Sequence, residues 1–163
     1  MSDRIVAAES VDPAVLLALN TANQTETSEL DPDSLQDLLA VSWRALAIGE
    51  GAALLIAMDK DSAYASPNFQ WFKARHDRFA YVDRIIVGEA ARGRGLARRL
   101  YEHLFDLARN EAHDRVGCEV NLNPPNPGSD AFHAKLGFKE VGQAVLYGGA
   151  KTVRYMEKPL SGG

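Results

Sequence analysis

The chain has 163 residues, 46% hydrophobic and 25% charged, and its 18 basic and 22 acidic side chains leave a formal net charge of −4. That length predicts one domain over residues 1–163, and the acidic balance argues against a nucleic-acid partner and a polybasic membrane anchor. The longest strongly apolar run, Ala52 to Met58, falls far short of the ~20 residues a spanning helix needs.

The first residues carry no apolar leader stretch. A single cysteine, Cys118, excludes an internal disulfide and a multi-cysteine zinc site, so a reducing cytoplasm is the simplest expected compartment. A strand is predicted over Arg4 to Ala8. Asp12-Pro13 then reads as a helix start, because Asp caps free amides and Pro tolerates the first helical position. That helix carries Val15, Leu16 and Leu19. Asp31-Pro32 repeats the signal ahead of Leu35, Leu38 and Leu39. Trp43 to Ile48 and Ala52 to Met58 flank Gly49-Glu50-Gly51 as a hairpin. A long irregular stretch, Asp59 to Asp77, follows, and loops of that length are uncommon unless functional.

Tyr81 to Val87 predicts a strand by its β-branched and aromatic content. Gly93 to about His113 predicts a helix, with Leu96, Leu100, Leu104 and Leu107 at helical spacing. A strand over Val116 to Leu122 comes next. A short helix, Asp130 to Leu136, stops at Gly137. Glu140 to Tyr147 and Thr152 to Glu157 close the chain as a hairpin around Gly148-Gly149. The predicted order is β-α-α-β-β-β-α-β-α-β-β, an α/β (α+β) sandwich with a mixed sheet and helices on its faces.

The turn between the Tyr81–Val87 strand and the next helix carries the chemistry. Arg92, Arg94, Arg98 and Arg99 crowd a helix N-terminus, where the exposed amides already carry partial positive charge and acidic residues are preferred. Gly93 and Gly95 let the backbone approach a ligand and turn its N–H groups inward. Together they predict a phosphate or pyrophosphate cradle; the structural alternative is a solvated basic helix start. A P-loop is missing its Lys-Ser/Thr pair. A dinucleotide fingerprint fails at Arg98 and would follow the first strand of a βαβ unit.

Arg92-Gly93-Arg94-Gly95-Leu96-Ala97 resembles motif A of the GNAT superfamily of N-acetyltransferases, Arg/Gln-x-x-Gly-x-Gly/Ala. A second block in register with relatives is Asn126, then Phe132-His133, then Gly137-Phe138. The resemblance implies the family's mixed, mostly antiparallel sheet and acetyl-CoA as cofactor. The amides of Arg92, Gly93, Arg94, Gly95, Leu96 and Ala97 would hold its pyrophosphate. Ile85 and Val87 would flank the pantetheine arm. The strand over Val116 to Leu122 would splay away to admit that arm. Asn126 would bond it, with Asn123 competing for the role beside Pro124, Pro125 and Pro127.

The implied reaction transfers an acetyl group to an amine, whose proton must be removed. Asp83 is the first candidate base and Tyr81 another, both expected on the face of Ile85 and Val87 because strand side chains alternate. An ion pair with a neighbouring Arg is the structural alternative for Asp83. Glu119 is the second candidate, a carboxylate whose pKa its apolar strand would raise. The chain departs from the family at the residue that protonates the leaving thiolate: the usual Tyr is His133, which could donate as imidazolium or merely pack beside the cofactor. Cys118 reads as a small buried hydrophobe, with a covalent acyl-enzyme as the alternative role. His76, His103 and His113 lack metal-ligand spacing and are expected at the surface, so no metal site is predicted.

Acceptor contacts are implied from Asn20 to Glu29, Asp59 to Asp77 and Tyr147 to Thr152. Tyr64, Phe69, Trp71 and Phe72 would line a pocket there or cover the sheet as a satellite core. Glu26 and Glu29 would attract an amine or stand as solvated charges. The acceptor is expected to be a small-molecule or peptide amine, and dimers through the C-terminal strands, common among relatives, leave a homodimer open. Two other functions compete: a non-catalytic acyl-CoA-binding module, and a nucleotide-dependent oxidoreductase.

Overall fold

The computed structural model describes residues 4–23, 29–123 and 127–160, except for the Asn123 side chain. Its elements are β1 (Ile5–Ala7), α1 (Pro13–Thr21), α2 (Pro32–Val41), β2 (Arg44–Ile48), β3 (Ala53–Asp59), α3 (Pro67–Lys73), β4 (Phe79–Val87), α4 (Leu96–Asn110), β5 (Arg115–Asn123), α5 (Pro127–Lys135), β6 (Lys139–Leu146) and β7 (Lys151–Pro159). Seven strands form one sheet in the order β1-β2-β3-β4-β5-β7-β6. Among the described strands only β4 and β5 run parallel. They are joined by the α4 crossover that a parallel pair requires.

Both early helices begin as their sequence signals predict. Asp12 accepts from the Ala14 amide, and Asp31 forms a reciprocal capping box with Ser34. Each satisfies amides that the first turn leaves without partners.

Two apolar layers sandwich the sheet. On one face, α4 packs Leu96, Leu100, Tyr101, Leu104, Phe105 and Ala108 against Leu55, Val82, Val116, Cys118 and Val120. Leu107, expected in the buried stripe, is only half-buried there. On the opposite face α1, α2 and α3 cover Leu54, Ile56, Tyr81 and Ile86.

The element missing from the sequence prediction is α3, which lies inside the stretch expected to be irregular. Pro67 opens it at the first helical position, and Phe69 and Phe72, three residues apart, are both fully buried. Its aromatic rings press on the sheet backbone. A Cβ at Gly117 would stand 2.4 Å from the Phe72 ring, and one at Gly142 would stand 2.5 Å from Trp71. The aromatics of this segment therefore cover the sheet, with Trp71 and Tyr64 half-buried at the margin of the layer.

Among the described residues, no helix is long and apolar enough to cross a membrane. Of the histidines expected at the surface, only His103 is exposed. His113 stacks on Trp43 and lies 3.5 Å from Asp59, while His76 lies 3.3 Å from Glu157. Among the described residues no group of three or more His, Cys, Asp or Glu is placed to hold a metal ion.

Candidate functional site

The parallel pairing of β4 with β5 runs only from Phe79–Arg115 to Val82–Cys118. Beyond that rung the strands separate, and the gap opens into a cleft of about 640 Å³. That volume lies in the usual range for small-molecule sites. From Val82 to Val87 the β4 wall extends about 17 Å. Its edge toward β5 offers backbone groups that no β5 rung satisfies, and such groups seek a partner. Ile85 and Val87 line this wall.

One end of the cleft is the start of α4. Arg92 and Ala97 both line it, and the turn between them holds the two expected glycines. Gly93 and Gly95 have φ of 82° and 71°. This left-handed region is open to Gly at no steric cost. Nothing stands within 4 Å of where either Cβ would be. Among the described residues, the amides of Gly93, Gly95, Leu96 and Ala97 bond no carbonyl. Room beside unbonded amides at a helix N-terminus suits a pyrophosphate.

The four arginines divide their roles. Arg92 donates to Asn23 Oδ1 at the end of α1, 2.9 Å away. Arg98 pairs with Glu102 one turn along the helix at 2.7 Å. Arg94 and Arg99 are exposed. Asn126 and Glu26 lie outside the described residues, as does the side chain of Asn123. Glu29 is exposed.

At the inner end of the cleft the two candidate bases differ. Asp83 is the extra residue of a β-bulge: Val82 pairs with Ala57 and Arg84 with Ile56, with Asp83 between them. A bulge breaks side-chain alternation. Tyr81 consequently packs on Phe69 and Phe72 beneath α3, whereas Ile85 and Val87 pack toward α4. The expectation that Tyr81 shares a face with Ile85 and Val87 is corrected by this one inserted residue. Both Asp83 oxygens hold donors, the Tyr64 hydroxyl at 2.5 Å and Arg84 Nε at 2.8 Å. Burial and the adjacent carboxylate push the Tyr64 phenol well up, so it remains a donor. Arg84 also reaches Asn20 Oδ1 at 2.7 Å.

Glu119, on β5, lines the same cleft. Among the described residues its carboxylate makes no hydrogen bond or ion pair within contact distance. Burial raises its pKa, Lys151 opposes that rise, and the Asp83 charge adds to it. A carboxyl shifted upward toward neutrality is suited to accept a proton.

His133, on α5, is buried in the wall toward α4. Its Nδ1 lies 2.8 Å from the Ser129 carbonyl and its Nε2 lies 2.8 Å from the Tyr101 hydroxyl. A carbonyl can only accept, so the proton sits on Nδ1 and Nε2 accepts from the phenol. Burial pushes the imidazole pKa down. Cys118 is buried beside Tyr101, and burial pushes its thiol up, out of the nucleophilic range. Arg84 and Tyr101 carry no signal of function in the sequence, and each is identified only by the partner it meets across the fold. Tyr64, Asn20 and Asn23 lie in segments implied for acceptor contacts, and the structure places them instead against Asp83, Arg84 and Arg92.

Comparison with known proteins agrees with this architecture. The Acetyltransferase (GNAT) family model matches residues 18–138. A probable glucosamine 6-phosphate N-acetyltransferase 2 from Oryza sativa subsp. japonica is 34% identical over 71 residues, 43% of this chain and 40% of that protein's length. The fold is similar to the ribosomal-protein-S18-alanine N-acetyltransferase from Escherichia coli (TM-score 0.70, 18% identity, covering 98% of this chain and 94% of that one). It is also similar to Ard1 from Thermoplasma volcanium (TM-score 0.73, 16% identity, 98% and 99%). A further neighbour is a NatC complex bound to Gag peptide and CoA (TM-score 0.74, 15% identity, 99% and 100%).

Proposed function

This chain belongs to the acetyltransferase (GNAT) family, and we propose that it transfers the acetyl group of acetyl-CoA directly to an amine, with Glu119 taking the amine's proton. The observation that carries this is the parting of β4 and β5 beyond Val82–Cys118. The resulting cleft has unbonded amides at one end and a lone carboxylate, Glu119, at the other.

Acetyl-CoA supplies the activated acetyl group. The chain's own residues do the rest. The amides of Gly93, Gly95, Leu96 and Ala97 bind pyrophosphate oxygens. Unpaired β4 backbone and the side chains of Ile85 and Val87 align the pantetheine arm, as a strand edge aligns an added strand. Glu119 removes a proton from the incoming ammonium, since only the neutral amine attacks. Asp83 is a positioning residue that fixes Tyr64 and Arg84 beside the reacting centre. The acceptor is an amine on a small molecule or a peptide. The acceptors in the relatives' names, glucosamine 6-phosphate and an alanine of a ribosomal protein, are the first two classes to screen.

Thermal unfolding with acetyl-CoA, NAD and ATP tests this reading. Saturating acetyl-CoA at about 100 times Kd adds about 2.7 kcal/mol and raises Tm by several degrees. Gly95→Asp abolishes that rise, because it strains a left-handed backbone and puts negative charge in the cradle. No shift with acetyl-CoA, or a shift with NAD instead, overturns the proposal. The engaged nitrogens of His133 favour a second reading, CoA binding without transfer. Turnover on any amine, lost in Glu119→Gln, decides against it.

A further inference from the structure

The family resemblance implies that the residue at His133 protonates the leaving thiolate, yet this imidazole is closed on both nitrogens, by Ser129 and by Tyr101. A neutral ring held this way has no N–H aimed into the cleft. The hydroxyl that meets it carries the proton shared between the two, donated to Nε2 at rest. Tyr101 rises from α4 and lines the cleft together with Cys118 and His133. Cys118 pairs with Val82 at the last rung before the strands part. Tyr101 and Cys118 belong to the same buried layer. The phenol oxygen thus sits beside the point where the cleft ends. An arm anchored at the start of α4 and laid along β4 brings its sulfur to that end.

We propose that Tyr101 is a catalytic residue, donating a hydrogen bond to the thioester sulfur as negative charge builds on it, and that His133 positions its hydroxyl. The assignment rests on the acetyl-transfer reading above. When the C–S bond breaks, its electron pair stays on sulfur. The Tyr101 O–H turns from His133 Nε2 to the sulfur without giving up its proton. The nitrogen sheds two protons, one to Glu119 before attack and a second as the amide forms; both pass to solvent, and the departing thiolate takes one from water. Burial pushes the Tyr101 phenol well above its ordinary pKa, which keeps the O–H intact as a donor. Preorganised donors of this kind act where charge develops and need no rearrangement of solvent.

The ionisation of CoA bound to the protein tests the assignment without an acceptor. Calorimetry first measures CoA binding to the wild type; its absence would overturn the acetyl-transfer reading itself. The ultraviolet absorbance of the thiolate is then followed against pH. The expected result is a bound thiol whose pKa is lower in the wild type than in Tyr101→Phe by about one unit. In His133→Gln the thiol pKa moves the same way by less, because the phenol keeps its O–H and loses only its anchor. If Tyr101→Phe does not fold, an unchanged thiol pKa in His133→Gln still overturns the assignment. Bound CoA with the same thiol pKa in the wild type and the folded variants overturns the proposal. So does a shift in His133→Gln larger than in Tyr101→Phe, which would make the imidazole the donor.

Discussion

The two ends of the cleft are built on different principles. The α4 end offers backbone groups from consecutive residues, Arg92 to Ala97. The inner end offers side chains from β4, β5, α4 and α5, brought together by the fold. Backbone recognition needs only conformation, so two left-handed glycines and a helix start suffice. Side-chain chemistry depends on surroundings. Asp83 and Glu119 are both strand carboxylates, yet one is bonded through both oxygens and the other stands alone. Identical chemistry takes different work according to its neighbours.

The largest expected effect separates those two carboxylates. Glu119→Gln lowers kcat by about 10²–10⁴-fold with acetyl-CoA affinity retained, measured by steady-state kinetics and calorimetry. The wild-type rate rises with pH along a limb above the ordinary carboxylate range, and the variant lacks it. Stability moves oppositely. A carboxyl whose pKa is raised by folding loses its contribution as pH rises through the folded value, so Glu119→Gln unfolds at a higher temperature than the wild type at neutral pH.

Asp83→Asn acts on stability more than on rate. It removes one charge from a pair with Arg84 whose side chains are 7% and 3% exposed. Leaving one buried charge uncompensated costs about 3 kcal/mol, read by urea unfolding, while kcat falls less than in Glu119→Gln. A fall in kcat equal to that of Glu119→Gln would erase the distinction between the carboxylates. Gly117→Ala drives a methyl into the buried Phe72 ring and costs about 2 kcal/mol, again by urea unfolding, with the cradle untouched. The smallest effect is acid sensitivity at the inner end. His133 has a folded pKa below its unfolded one, so its contribution is present above about pH 6.5 and is lost as pH falls through the folded value. His133→Gln flattens that part of the stability–pH curve.

The sequence discloses the backbone end almost completely. Gly93 and Gly95 are informative wherever they stand, because few other residues tolerate their φ. The helix starts at Pro13 and Pro32 are legible for the same local reason. The aromatic segment hides α3, since seven residues are too few for a periodic stripe and Ser66-Pro67 resembles a turn as much as a cap. Strand alternation places Tyr81 on the wrong face because nothing local announces the bulge at Asp83. It arises from the pairing of β4 with β3. Tyr101 reads only as one more apolar position on α4, and its hydroxyl acquires meaning when His133 arrives from thirty-two residues away.

The bulge has a consequence for how this chain can vary. Past Asp83, β4 presents Arg84 and Ile86 to α1 and its neighbours, and Ile85 and Val87 to the α4 face. Adjacent positions on one strand thereby answer to separate demands, one set to whatever lies under α1 and α3, the other to the arm along the cleft. Strict alternation from Val82 would instead turn Ile85 and Val87 toward α1 and Arg84 toward α4. A single inserted residue exchanges which side chains of the strand answer to each layer.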